Sequence, residues 1–159
     1  MDYFAEVMAI LDRWSHLGRR DVPNGTKLIG HIPHVGSIAY LHVVYAPLLP
    51  VQIDQIEMDI ERKLPAVMRD FYARANGCSL FGGALTIDGL RFDYDRSLAD
   101  TARQPVSIRT ANMKVRPKCA DISSIFFGWY QYDGSCLLFG RDEAVLMCPP
   151  RFAQPVLYR

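Results

Sequence analysis

The chain has 159 residues, half of them apolar, with 18 Lys and Arg against 17 Asp and Glu. That length suits one core-forming domain, and a formal charge of +1 without long runs of either sign gives no footing for a nucleic-acid or membrane surface. The opening "MDYFAEVMAILDRW" carries acidic residues where a secretory signal would be basic, and no apolar run approaches the roughly 20 residues of a membrane span, so a cytoplasmic location is expected.

In chain order, Asp2 is placed to cap a first helix, with Phe4, Val7, Met8, Leu11 and Trp14 at helical spacing and Gly18 as its stop. Residues 18–27 carry Pro23 and Asn24-Gly25 and read as loop. The stretch "SIAYLHVVYAPLL" is β-branched and aromatic, enough for one or two strands within 27–48. Pro50 can open a second helix, on which Ile53, Ile56, Ile60 and Leu64 share one face. Glu57 lies at the edge of that face, so its carboxylate needs a partner: a backbone N–H or an arginine. Pro65 interrupts the ladder and a third helix follows, with Val67, Met68, Phe71, Tyr72 and Ala75 on one side.

Beyond Asn76-Gly77 short apolar segments alternate with turn residues: "SLFGG", "ALTIDGLRF", "PVSIRT", "SSIFFGWYQY", "SCLLFG" and "AVLMCPP". Asp133-Gly134 predicts a two-residue hairpin loop, and residues 141–143 the next turn, giving a three-stranded meander over 125–148. The expected class is α+β: N-terminal helices packed against one curved, mainly antiparallel sheet. The chain divides into an N-terminal helix with an extra strand region (1–48), a core (49–148) and a C-terminal tail (149–159), all in one domain.

The run "IEMDIERKLPAVMRDFYARANGCSLFGG" sets a glutamate (Glu57), an aliphatic residue three positions on (Ile60), Leu64-Pro65, an aromatic helix with Met68, Phe71 and Tyr72, then Asn76-Gly77. This order resembles the helical core of the SUKH superfamily, α+β domains that include bacterial immunity proteins and fungal cell-wall regulatory relatives. "YDGSCLLFGRDEAVLM" is similar to the family's late hairpin. Glu61 stands where the family often has glycine, read here as a lengthened helix, and Met68 replaces a common aromatic. The resemblance implies a noncatalytic binding domain, an immunity protein that neutralises a cognate toxin protein, with no cofactor. Its motif residues read as scaffold: Pro65 bends the chain, Gly77 supplies a positive φ, and Asn76 caps or tolerates the left-handed turn.

Chemical motifs are sparse. His31-x-x-His34, with Cys78 or Asp93, falls short of a zinc site. Glu57 with Glu61, or Asp93 with Asp95, are the acidic pairs a small hydrolase would use. Cys78, Cys119, Cys136 and Cys148 are scattered without a Cys-x-x-Cys pair and read as reduced, buried thiols. Gly82-Gly83 reads as a turn, not a phosphate loop. In "FFGWYQY" a period of two sets Phe127, Trp129 and Gln131 against Phe126, Tyr130 and Tyr132, so Trp129, Tyr130, Tyr132 and Asp133 are the candidate partner contacts. A regulatory interaction module outside toxin systems is the alternative binding function.

Overall fold

The structure is a computed structural model that describes residues 2–94, 97, 100–116, 120–141, 144–149 and 156–157. Helix α1 (Tyr3–Asp12) begins where the Asp2 carboxylate accepts from Ala5 N and runs into a 3-10 turn, Arg13–Leu17. Strands β1 (Arg19–Asp21), β2 (Lys27–His31) and β3 (Tyr40–Val44) follow, then α2 (Pro50–Ile60) and α3 (Ala66–Arg74). Next come β4 (Cys78–Leu80), β5 (Leu85–Ile87) and α4 (Ile108–Met113). Strands β6 (Ile125–Tyr130), β7 (Ser135–Phe139), β8 (Val145–Cys148) and β9 (Val156–Leu157) complete the order. All nine strands join one sheet in sequential order, each pair antiparallel. The class is therefore α+β, with helices inserted between β3 and β4 and between β5 and β6.

Alternation along the strands gives the sheet two apolar faces. On the helix side, Ile53, Ile56, Ile60, Leu64, Met68 and Tyr72 pack with Leu90, Ile125 and Phe139. Leu11 of α1, with Phe4 and Met8, covers Ile29, Val44, Ala75, Cys78 and Leu80, and Phe71 reaches both groups. On the opposite face Phe126, Cys136, Leu138 and Cys148 pack with Ala111 of α4.

The motif residues hold the two helices to this sheet. Glu57 is buried and accepts from Leu64 N at 3.0 Å, Arg69 Nη1 at 2.8 Å and Lys63 Nζ at 2.6 Å, so one carboxylate ties together the α2–α3 connection. Gly77, at φ +87°, lies so close to β5 that a Cβ would sit 2.3 Å from Ile87 O. Asn76 is buried and extends the pairing: its Oδ1 accepts from Leu90 N and its Nδ2 donates to Leu90 O, both at 2.7 Å. Asn112 on α4 does the same for Phe126, accepting from its N–H at 3.0 Å and donating to its carbonyl at 2.7 Å.

Several expectations are corrected. On α1 only Phe4, Met8 and Leu11 face the core, whereas Val7 and Trp14 are exposed, because the apolar residues form two stripes rather than one. The expected 18–27 loop contains β1, and the "PVSIRT" strand begins helix α4, where the Ser107 hydroxyl accepts from Thr110 N. Glu61 does not lengthen α2: the helix stops at Ile60 and Glu61 takes the left-handed C-cap itself, at φ 55°. Asn76 is not left-handed; its contribution is the side-chain bonding to Leu90. The β6–β7 loop has four residues, because Tyr130 and Ser135 are the last paired positions. The tail adds a strand, β9, against β8. Cys78 and Cys136 are free and buried, but Cys148 is disulfide-bonded rather than reduced, and Cys119 lies outside the described residues.

Burial would raise the Glu57 pKa, but hydrogen bonds from Lys63, Leu64 N and Arg69 outweigh it and hold it at about 2, against 4.5 ordinarily. The stability this carboxylate contributes is complete above the unfolded value and is lost as pH falls from 4.5 towards about 2. Glu57→Gln costs roughly 1.5–3 kcal/mol at neutral pH, the range for a charge-assisted bond. Urea unfolding across that acid window should show the variant's deficit shrinking as pH falls.

Candidate functional site

The β4–β5 connection is Phe81-Gly82-Gly83-Ala84, and three consecutive residues have positive φ: Phe81 at 54°, Gly82 at 67° and Gly83 at 92°. Glycine adopts this conformation freely, but a bulky side chain there costs roughly 1–2 kcal/mol. Phe81 nevertheless occupies it with its ring 54% exposed. Beneath the ring lies His42, fully buried, its centroid 4.9 Å away in an edge-to-face contact. His42 Nδ1 accepts from Phe81 N at 3.3 Å, which fixes the neutral imidazole with its proton on Nε2. Burial pushes the His42 pKa below its ordinary value, in keeping with that neutral form. Trp14 flanks His42 at 6.2 Å.

The β6–β7 loop stands at the same end of the sheet, fastened by Gln131 N donating to Ala84 O at 2.7 Å. Tyr130 sits opposite Leu85 in the ladder, and its ring lies 6.3 Å from that of Tyr132, which is 87% exposed. Asp133 shapes the turn by accepting from Ser135 N at 2.8 Å. Phe81, Tyr130 and Tyr132 thus sit on neighbouring hairpins at one end of the sheet, an aromatic rim.

Of the four expected contacts, Tyr130, Tyr132 and Asp133 belong to this rim and Trp129 does not. A bulge between Phe126 and Gly128 breaks the period-two pattern, so Trp129 turns inward onto Phe126 at 4.6 Å, while Phe127 packs on Phe139 on the helix side. Phe81 went unrecognised in the sequence, where its signal was an aromatic residue directly before Gly-Gly. The scaffold residues Glu57, Ile60, Leu64, Pro65, Phe71, Asn76 and Gly77 lie within or beside the helix–sheet core, apart from the rim.

The alternative chemistry gains no geometric support. Glu57 is enclosed by cationic partners and Glu61 is an exposed helix cap, so they form no paired acid and base. Asp93 shares the amide of Gln104 with Asp100, at 2.6 Å to each, and pairs with Arg103, while Asp100 pairs with Arg91; Asp95 lies outside the described residues. His31 Nε2 contacts Ser37 O and its ring packs on Tyr40, His34 is exposed, and no metal-sized His/Cys/Asp/Glu group occurs among the described residues. Burial pushes the Cys78 thiol up to about 12 and the Cys136 thiol to about 11, which suppresses the thiolate. Asp88 is fully buried with neither carboxylate oxygen hydrogen-bonded among the described residues, and burial raises its pKa to about 7. It lines neither the α1–α3 groove of about 510 Å³ nor the grooves of about 380 and 360 Å³ elsewhere on the surface. No family model, curated protein or solved structure matches this chain.

Two outcomes are expected. Phe81→Gly relieves the left-handed cost while losing half a ring's packing, so its stability should stay within about 1 kcal/mol of wild type, against the roughly 3–5 kcal/mol for deleting a core phenylalanine. Thermal or urea unfolding measures the difference. For Asp88 the folded pKa is raised, so its ionisation opposes folding increasingly as pH rises from 3.8 towards about 7. Asp88→Asn should gain on wild type through that interval and keep a constant advantage above it.

Proposed function

We propose that this chain is a SUKH-like protein-binding domain that acts as an immunity protein, neutralising a cognate bacterial toxin by direct contact through the aromatic rim. The observation that carries this reading is Phe81: a half-exposed ring held in a backbone conformation that disfavours it, beside the exposed Tyr130 and Tyr132. Strain of this kind concentrates where it serves recognition, and aromatic side chains are the usual anchors of protein interfaces. Blocking an enzyme by occlusion requires complementary shape and charge rather than reactive groups.

The family reading draws support from the way its motif residues serve this fold. Glu57 closes the α2–α3 connection, and Asn76-Gly77 joins α3 to the sheet, roles that a noncatalytic scaffold signature should have. No described helix is long and apolar enough to cross a membrane. Cytoplasmic action belongs to the immunity reading, whereas the disulfide at Cys148 is unusual for a reducing compartment.

Co-expression with the protein encoded immediately upstream tests the function: wild type should co-purify with that protein and rescue growth from its toxicity. Phe81→Ala and Tyr132→Ala should each weaken binding at least about tenfold while leaving the fold intact. Absence of both rescue and co-purification would sink the immunity reading and favour the regulatory module, and unchanged binding by both variants would move the contact away from the rim.

A further inference from the structure

Helix α1 and its 3-10 extension carry a second apolar stripe that the fold leaves uncovered. Tyr3, Val7, Ile10, Trp14 and Leu17 follow one another at spacings of four, three, four and three, and each is between 40% and 70% exposed. At 100° per residue, Tyr3, Val7 and Ile10 fall within about 60° of one another, a quarter turn from the core-facing Phe4, Met8 and Leu11. Trp14 and Leu17 are three apart in a 3-10 turn, where such positions eclipse. This is the spacing with which one helix packs along another.

We infer that the stripe is a homodimer interface in which α1 pairs antiparallel with α1 of a second copy, about a two-fold axis near Ile10. Charge selects both occupant and direction. Glu6 and Arg13 flank the stripe on either side of Ile10, both are exposed, and neither takes part in an ion pair among the described residues. The other charged residues bordering α1 are engaged within the chain: Asp2 with Arg74, and Asp12 with Arg19. An antiparallel pair brings Glu6 of each copy to Arg13 of the other and Tyr3 to Leu17. A parallel pair would instead put the Glu6–Arg13 flanks of the two copies on opposite sides of the seam, so neither charge would meet its opposite.

Shape agrees with charge. At its N-terminal end the stripe borders the apolar groove of about 510 Å³ between α1 and α3, where Tyr3 and Val7 face Val67. Its C-terminal end carries the bulky Trp14. The two-fold arrangement brings Trp14 of the second copy towards this groove, which makes the surface self-complementary. Taking roughly 200 Å² for a large apolar residue, the stripe leaves on the order of 500 Å² open per copy. A pair therefore buries about 1,000 Å², where specific interfaces begin.

Sedimentation velocity of the full chain, from low to high micromolar concentration, tests the inference. Wild type should self-associate to a dimer, and Ile10→Lys should be monomeric with an unchanged circular dichroism spectrum, because Ile10 lies outside the core. Glu6→Lys and Arg13→Glu should each weaken the dimer at least about tenfold, equivalent to about 1.4 kcal/mol, and the double exchange should recover most of it. Tyr132→Ala should dimerise as wild type does, which separates this surface from the rim proposed for the toxin. A wild type that stays monomeric throughout, a dimer that survives Ile10→Lys, or a double exchange no better than the singles would overturn the inference.

Discussion

The fold depends on the close approach of Gly77 to the end of β5. With its Cα against the Ile87 carbonyl there is no room for a side chain, and the positive φ of the same residue turns the chain from α3 into β4. Asn76 fixes the other side of the contact, bonding both polar backbone groups of Leu90, while Gly89 passes beneath it so closely that a Cβ would meet Asn76 Oδ1 at 2.3 Å. Asn76 N and Gly77 O are in turn bonded to the backbone at the end of β3. One dipeptide therefore sets the spacing of β3, β4 and the chain beyond β5. The helices can then lie on the sheet only in the position that seals Tyr72 and Ile60 from water. The Tyr72 hydroxyl completes this contact by donating to Asp88 O.

Features that act through neighbouring residues were legible in the sequence. Pro50, Leu64-Pro65 and the periodic isoleucines mark α2 and α3 because helix start, break and burial are local properties, and Glu57 announced its need for a partner by lying at the margin of an apolar face. Features that depend on distant pairing were not legible. The β-bulge at Phe127 reverses which aromatics share a face, and nothing local separates such a run from a regular strand. Strand β1 is three exposed charged residues and exists only because β2 pairs with it. On α1 the two apolar stripes merge in a one-dimensional reading, since they differ by one residue in register and only packing shows which one meets the sheet.

The aromatic rim shows the same division. Tyr130 and Tyr132 were identifiable as aromatic residues near a turn, but the significance of Phe81 lies in its φ, which composition does not carry. Its conformation is held by contacts far away in sequence. One hydrogen bond, from Phe81 N to His42 Nδ1, and the edge-to-face contact between the rings are each worth about 1 kcal/mol, comparable to the cost of the left-handed backbone. The ring is thus maintained at the surface by the buried imidazole rather than by its own burial.

That dependence makes His42 the link between the rim and the rest of the molecule. Its ring pairs across from Ile29 in the core, supports Phe81 on one side and meets Trp14 on the other. The imidazole can accept from Phe81 N only while Nδ1 is unprotonated, and its burial on the helix-covered face of the sheet keeps it so. The stability of the core and the presentation of the exposed ring are consequently one constraint. A substitution that lets water reach His42 would favour its charged form, remove the acceptor for Phe81 N and release the loop, even where it left every surface aromatic in place.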